Sequence, residues 1–212
     1  EAAVQAATGR PASTEGIPVA GMLDTDIVGS MLAACGVPPG VAAAMMAGIR
    51  RAAGRRYRRT CPALHSKVCP GVKPLLRSLR AAGVLTGLVT GNFQAIGWRK
   101  LKRAGLDIHF RYGAFAGDGA TRGALARRAI AEARRRGWIA PEAPVTLIGD
   151  HTNDILAARQ AGARSVAVAT GVVSLDELAR LEPDILIPDL RSLEAGQLLS
   201  RNGSTNPLGQ AG

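Results

Sequence analysis

Val145-Thr146-Leu147-Ile148-Gly149-Asp150-His151-Thr152-Asn153-Asp154-Ile155-Leu156-Ala157-Ala158 is the stretch that decides the fold. An apolar, partly β-branched run ends in Gly-Asp. A second Asp follows four residues later, and a helical pattern begins there. The apolar run reads as a buried parallel strand and the Ala-rich segment as the helix after it. Two carboxylates therefore stand at the carboxyl end of a strand, where open α/β sheets bind ligands. Such a pair is costly unless a cation offsets it. Mg²⁺ suits the site because it takes hard oxygen ligands and often bridges to a phosphate. Asp150, directly after the strand and its Gly, is the expected direct ligand. Asp154, with Asn153 beside it, is expected to act around the metal or through water.

Residues 84–91 repeat the pattern. Val84-Leu85-Thr86-Gly87-Leu88-Val89 is another apolar strand, ending in Thr90-Gly91-Asn92. A hydroxyl and backbone amides at a strand-to-helix turn can hold phosphate oxygens. Lys100-Leu101-Lys102-Arg103-Ala104-Gly105-Leu106 closes the helix that follows. A lysine there can neutralise the remaining charge. In these three motifs, in this order, the chain resembles the haloacid dehalogenase superfamily, specifically its phosphoglycolate-phosphatase-like Mg²⁺ phosphatases. The resemblance runs from about residue 10 to about residue 190. Each motif alone is weak, but the ordered set on alternating strands and helices is specific.

The resemblance implies an α/β fold: a Rossmann-like core with a parallel sheet, under a small all-helical cap. It also implies a phosphomonoesterase working through an aspartyl-phosphate, with Mg²⁺ as cofactor and a small phosphorylated substrate. Thr90, Lys100, Asp150 and Asp154 are its implied catalytic residues. Thr90, Gly91, Asn92 and Lys100 would bind phosphate, and Asp150 and Asp154 the metal. Lys100 carries the family's Lys-Leu-x-x-x-Gly-Leu spacing. Lys102, two positions on, lies on another helical face and is expected to be surface charge.

The family's fourth motif, Asp-x-Asp after a first strand, is missing. The chain opens Glu1-Ala2-Ala3-Val4-Gln5-Ala6-Ala7, which reads as the middle of a helix. Leu23-Asp24-Thr25-Asp26 contains Asp-x-Asp, but no apolar strand precedes it, and Pro18 breaks Ile17-Pro18-Val19-Ala20-Gly21. Asp24 reads instead as an N-cap over Ile27 to Leu32. The expectation is that the first core strand is absent from this chain, and that the chain as it stands is inactive. Two other readings stay open: a non-catalytic relative that binds anions or a partner, and a metal-independent haloacid dehalogenase. The acid pair speaks against the latter, because no cation would offset it.

At 212 residues, 47% of them apolar, the chain can bury a real core built from Ala, Val, Leu and Ile. Aromatics are only 3%. The net charge of +11 attracts anions. Nucleic acid is nonetheless disfavoured as a partner, because Trp98 and Trp138 are too isolated to form a stacking platform. The run Arg50, Arg51, Arg55, Arg56, Arg58 and Arg59 reads as a solvated helix face. Cys35, Cys61 and Cys69 have no metal-binding spacing and read as reduced thiols, hence a cytoplasmic location. No run reaches the roughly 18 apolar residues of a membrane span. His65, His109 and His151 form no ligand pair; His151 lies inside the acidic motif.

Three segments are expected: a helical cap over residues 1–66, the α/β core over 67–194, and a disordered tail over 195–212. In the first, helices are read at 24–35 and 41–59. In the second, helices at 73–82, 93–104, 121–136 and 154–161 alternate with strands at 84–89, 112–116, 145–148, 165–169 and 185–187. Ser174-Leu175-Asp176-Glu177 has capping-box spacing and opens a further short helix.

Overall fold

The fold is given by a computed structural model that describes residues 1–199. It begins with three helices: α1 (Ala2–Thr8), α2 (Asp24–Ala34) and α3 (Pro39–Thr60). α3 starts earlier than the Pro38-Pro39 pair suggested. Pro39 occupies its first turn, where a missing N–H costs nothing. Residues 10–23 connect α1 to α2 without regular structure.

From residue 72 helices and strands alternate. α4 (Val72–Ala81), β1 (Gly87–Val89), α5 (Gln94–Ala104) and β2 (Tyr112–Ala114) come first. α6 (Arg122–Arg135), β3 (Thr146–Gly149), α7 (Thr152–Gln160) and β4 (Arg164–Val168) follow. α8 (Leu175–Ala179), β5 (Ile185–Ile187) and α9 (Ala195–Leu199) complete the described residues. Ser174 and Glu177 close a capping box as the sequence indicates, and Thr121, read as the first residue of its helix, is instead the N-cap that accepts the Ala124 amide.

Every strand pairing is parallel, but the ladder comes in two pieces. β1 pairs with β2, and β3 pairs with β4, which pairs with β5. Among the described residues no strand stands between β1 and β3. A cavity of about 430 Å³ lies there, lined by Leu88 and Val89 on one side and Leu147 and Ile148 on the other. Leu75 of α4 and Ala129 of α6 also line it. β1 starts at Gly87 rather than at residue 84 because its ladder with β2 begins at the Gly87–Tyr112 pair. The gap leaves Ile148, in an apolar strand, 37% exposed.

The helical layer does not have a core of its own. Val4, Met31, Leu32 and Ile49 share one buried cluster with Phe93, Ala114 and Leu125 of the α/β part. α1–α3 are thereby seated over the carboxyl ends of β1 and β2. The first five residues of the tail expected from residue 195 are described, and they are ordered. Ala195–Leu199 is helical, and Ala195 and Leu198 pack against the cluster of Leu75, Leu79, Val166 and Ile187. Burying those apolar side chains is what orders the segment. The rest of that expected tail, residues 200–212, lies outside the described residues.

β4 and β5 are also tied by a polar staple. The Asp184 carboxylate accepts both the amide and the hydroxyl of Ser165, each at 2.7 Å. Burial raises the Asp184 pKa, but the hydrogen bonds it accepts, those of Ser165 first, together with the Arg164 charge outweigh it and hold the carboxyl below its usual range. A depressed carboxylate stabilises the fold fully above its unfolded pKa and stops doing so as pH falls through the folded one. Asp184→Ala would strand two donors on Ser165, which is only 3% exposed. A loss of about 1–3 kcal/mol in urea unfolding at pH 7 is expected, shrinking toward acid pH. An equal loss at every pH would show that charge plays no part in the staple.

Candidate active site

Two turns face one another across the mouth of the gap. The first follows β1. The Thr90 hydroxyl accepts the Asn92 amide at 3.2 Å, which tightens the turn. Lys100, just under two turns into α5, reaches back along the helix face, and its Nζ donates to Asn92 Oδ1 at 2.8 Å. Thr90, Gly91, Asn92 and Lys100 thus come together as the sequence predicts. Lys102 is exposed and stands apart. The Tyr57 ring of α3 lies 6.0 Å from Lys100 Nζ. Burial, and then the Cys61 thiol beside it, pushes the Tyr57 hydroxyl up to about 12, so it stays protonated at neutral pH. Tyr57 thereby brings a neutral, half-apolar surface from the helical layer to the lysine.

The second turn follows β3. Asp150 is exposed at the strand's carboxyl end, with its carboxylate against Gly171. A Cβ on Gly171 would lie 2.6 Å from Asp150 Oδ2, so residue 171 must be small for the acid to keep its place. Asp154 does something else. One of its oxygens accepts the His151 amide at 3.2 Å, closing the first turn of α7. The other takes an ion pair from Arg122 at 2.6 Å, with both side chains largely buried. His151 Nδ1 in turn accepts the Asn153 amide at 3.1 Å. Asp154 thus satisfies a helix amide, as an acid three residues past an N-cap does, and pairs its remaining charge with Arg122.

Asp150 fits Mg²⁺ as a single hard-oxygen ligand. Among the described residues no group of three His, Cys, Asp or Glu side chains could complete a metal site. Mg²⁺ usually keeps several waters and takes only one or two carboxylates alongside substrate phosphate, so Asp150 alone suits it.

Asp24 and Arg122 are the residues that sequence reasoning missed. Asp24 is not a cap for its own helix, whose N-cap is Leu23. Its carboxylate crosses to the first turn, accepting the Phe93 amide at 2.7 Å and the Asn92 side-chain amide at 3.3 Å. The connection leading into it covers both turns. The Gly21 carbonyl accepts the Asn153 side chain at 3.0 Å, and a Cβ on Gly91 would lie 2.5 Å from the Met22 carbonyl oxygen. Nothing in the sequence marks Arg122 within an arginine-rich chain.

A sequence profile described as haloacid dehalogenase-like hydrolase matches residues 38–159, more than half the chain. The chain belongs to this family. The match includes both turns, Thr90 to Lys100 and Asp150 to Asp154, but not Asp24. A phosphoglycolate phosphatase of Agrobacterium fabrum is 29% identical over 137 residues, which are 65% of this chain and 57% of that protein. A second, from Synechococcus elongatus, is 34% identical over 127 residues, 59% of this chain and 56% of its relative. The chain thus spans little more than half the length of these relatives. Among solved structures, a β-phosphoglucomutase from Clostridium difficile aligns with a TM-score of 0.61 at 14% identity, covering 93% of this chain and 86% of its own. That likeness shows the haloacid dehalogenase-like fold. The gap between β1 and β3 lies within the matched span, between the turn after β1 and the turn after β3.

Among the described residues no helix is long and apolar enough to cross a membrane. The two tryptophans are packed rather than presented. Trp98 lies 5.7 Å from Phe115, and Trp138 lies 5.2 Å from Tyr112 with Arg111 over its ring.

Proposed function

We propose that the protein hydrolyses a small phosphomonoester, and that the acid which attacks phosphorus is carried by an extended apolar strand seated between β1 and β3. The observation that carries this reading is the Thr90–Asn92–Lys100 cluster. It is an anion-binding turn and a lysine at the carboxyl end of a parallel strand, facing Asp150 across an apolar gap. Lys100 and the Thr90 hydroxyl hold the phosphoryl oxygens as charge builds on them. A carboxylate on the seated strand forms a bond to phosphorus while the ester oxygen leaves. A second acid on that strand protonates the leaving alcohol, and water later cleaves the acyl phosphate. Mg²⁺, with Asp150 among its ligands, would shield the negative charges from one another.

The helical layer, α1–α3, serves as the cap over this chemistry, with Tyr57 its nearest ring to Lys100. The α/β core follows from about residue 67. Phosphoglycolate is the first substrate to try, because the two relatives described above are named for it. A cytoplasmic setting agrees with three free cysteines.

The test is an assay of the chain with p-nitrophenyl phosphate and Mg²⁺, alone and with a synthetic apolar strand peptide ending in Asp-x-Asp. No turnover above a metal-only blank is expected from the chain alone. Turnover is expected with the peptide, and mass spectrometry should find the trapped phosphoryl group on the peptide's first Asp. A phosphoryl group trapped on Asp24 would move the nucleophile into this chain and overturn the proposal.

A further inference from the structure

Asn92 stands between two groups of fixed hydrogen-bonding sense. A carboxylate only accepts and an ammonium only donates. Asp24 Oδ1 therefore takes the Asn92 NH₂, and the Asn92 carbonyl is left to receive Lys100 Nζ. The polarity of this line, from lysine through asparagine to aspartate, is set at its Asp24 end. Asp24 is itself held firmly. Its Oδ2 accepts the Phe93 amide at 2.7 Å at the start of α5, and its own amide donates to the Gly91 carbonyl at 2.7 Å. An anion at a helix start is favoured there by the exposed amides and the helix dipole.

We infer that Asp24 is a positioning residue: by fixing which way the Asn92 amide faces, it fixes where Lys100 presents its charge. The inference rests on the proposed anion-binding role of Lys100 and names what places that lysine. Asp24 is carried by the helical layer, 68 residues from Asn92 in sequence. The same short connection gives the Gly21 carbonyl to Asn153 beside the Asp150 turn. One segment of the helical layer thus braces both walls of the gap.

The isosteric change Asp24→Asn isolates the effect. The new amide must keep its oxygen on the Phe93 N–H, the shortest of the contacts. Its NH₂ then faces the NH₂ of Asn92. Asn92 relieves this by flipping, and the flip turns its NH₂ toward the Lys100 ammonium. Donor meets donor, and Lys100 leaves its place. Asn92→Leu breaks the line at its middle and keeps the Asp24–Phe93 bond, so it frees Lys100 without loosening the turn.

The experiment follows the Asn92 side-chain amide and the Lys100 ε-methylene by NMR in the ligand-free chain, then titrates inorganic phosphate. In Asp24→Asn and in Asn92→Leu the Lys100 signals are expected to move to positions typical of an exposed lysine such as Lys102. Phosphate binding should weaken roughly tenfold in each, the loss of one charge-assisted contact. Added to Lys100→Met, neither change should weaken binding further. Unmoved Lys100 signals in both variants would overturn the inference, whatever happens to the melting temperature. If Lys100 moves but the unaltered chain binds no phosphate, the positioning role stands and the proposed anion site fails.

Discussion

With a strand peptide seated in the gap, Lys100→Met is expected to lower kcat on the order of 10²–10³-fold, while Lys102→Met stays within about twofold. The two lysines are two positions apart, about 200° around the helix, and point away from each other. Lys100 is half-buried, donates to Asn92 at 2.8 Å and stands beside the Tyr57 ring. A cation held in that setting costs no reorganisation when charge builds on the phosphoryl oxygens. Lys102 is exposed and solvated, and a surface charge of that kind contributes little. The loss at Lys100 should fall on kcat more than on KM, because the interaction strengthens toward the transition state. A crippled Lys102→Met would shift the third motif by two residues and withdraw the Lys100 assignment.

The sequence was most legible where local rules decide structure. The apolar periods of residues 94–104 and 122–135 placed α5 and α6 within a residue or two, and Ser174-Leu175-Asp176-Glu177 announced its own capping box. It was least legible where a residue's partner is far away. Residues 84–86 have strand composition, yet a strand exists only where a neighbour offers its amides and carbonyls, and the pattern carries no record of the neighbour. Asp24 sits where aspartates commonly cap their own helix, so the local reading was the natural one. Its carboxylate is taken by a turn that only the tertiary fold brings near. Asp154 fits two local patterns at once. Four residues separate it from Asp150, the spacing of an acid pair, and three separate it from His151, the spacing that closes a helix start, where Arg122 pairs with its remaining charge.

The largest loss of stability from a single methyl group is expected at Gly71, the residue that starts α4 along the wall of the gap. Two costs coincide there. Its φ of 84° lies in the left-handed region, where an L side chain costs roughly 1–2 kcal/mol. A Cβ would also overlap the carbonyl carbon and oxygen of Leu190 and the amide nitrogen of Arg191, which are backbone atoms that cannot rotate aside. Moving that 3₁₀ turn, Leu190–Ser192, would disturb Leu193, which is 5% exposed and packs in one cluster with Leu75 and Leu79 of α4. Overpacking of this kind adds about 1–3 kcal/mol. Gly71→Ala is therefore expected to cost about 3 kcal/mol or more in urea unfolding. Gly9→Ala is the control. Its φ of 68° carries the same backbone penalty, but a Cβ there meets nothing within 4 Å. The difference between the two variants measures the contact alone. Because Leu75 lines the gap, Gly71→Ala should also weaken binding of the strand peptide, and Gly9→Ala should not. Equal costs for the two substitutions would mean that the Leu190 turn does not rest on Gly71, and that α4 is not held against the gap by this contact.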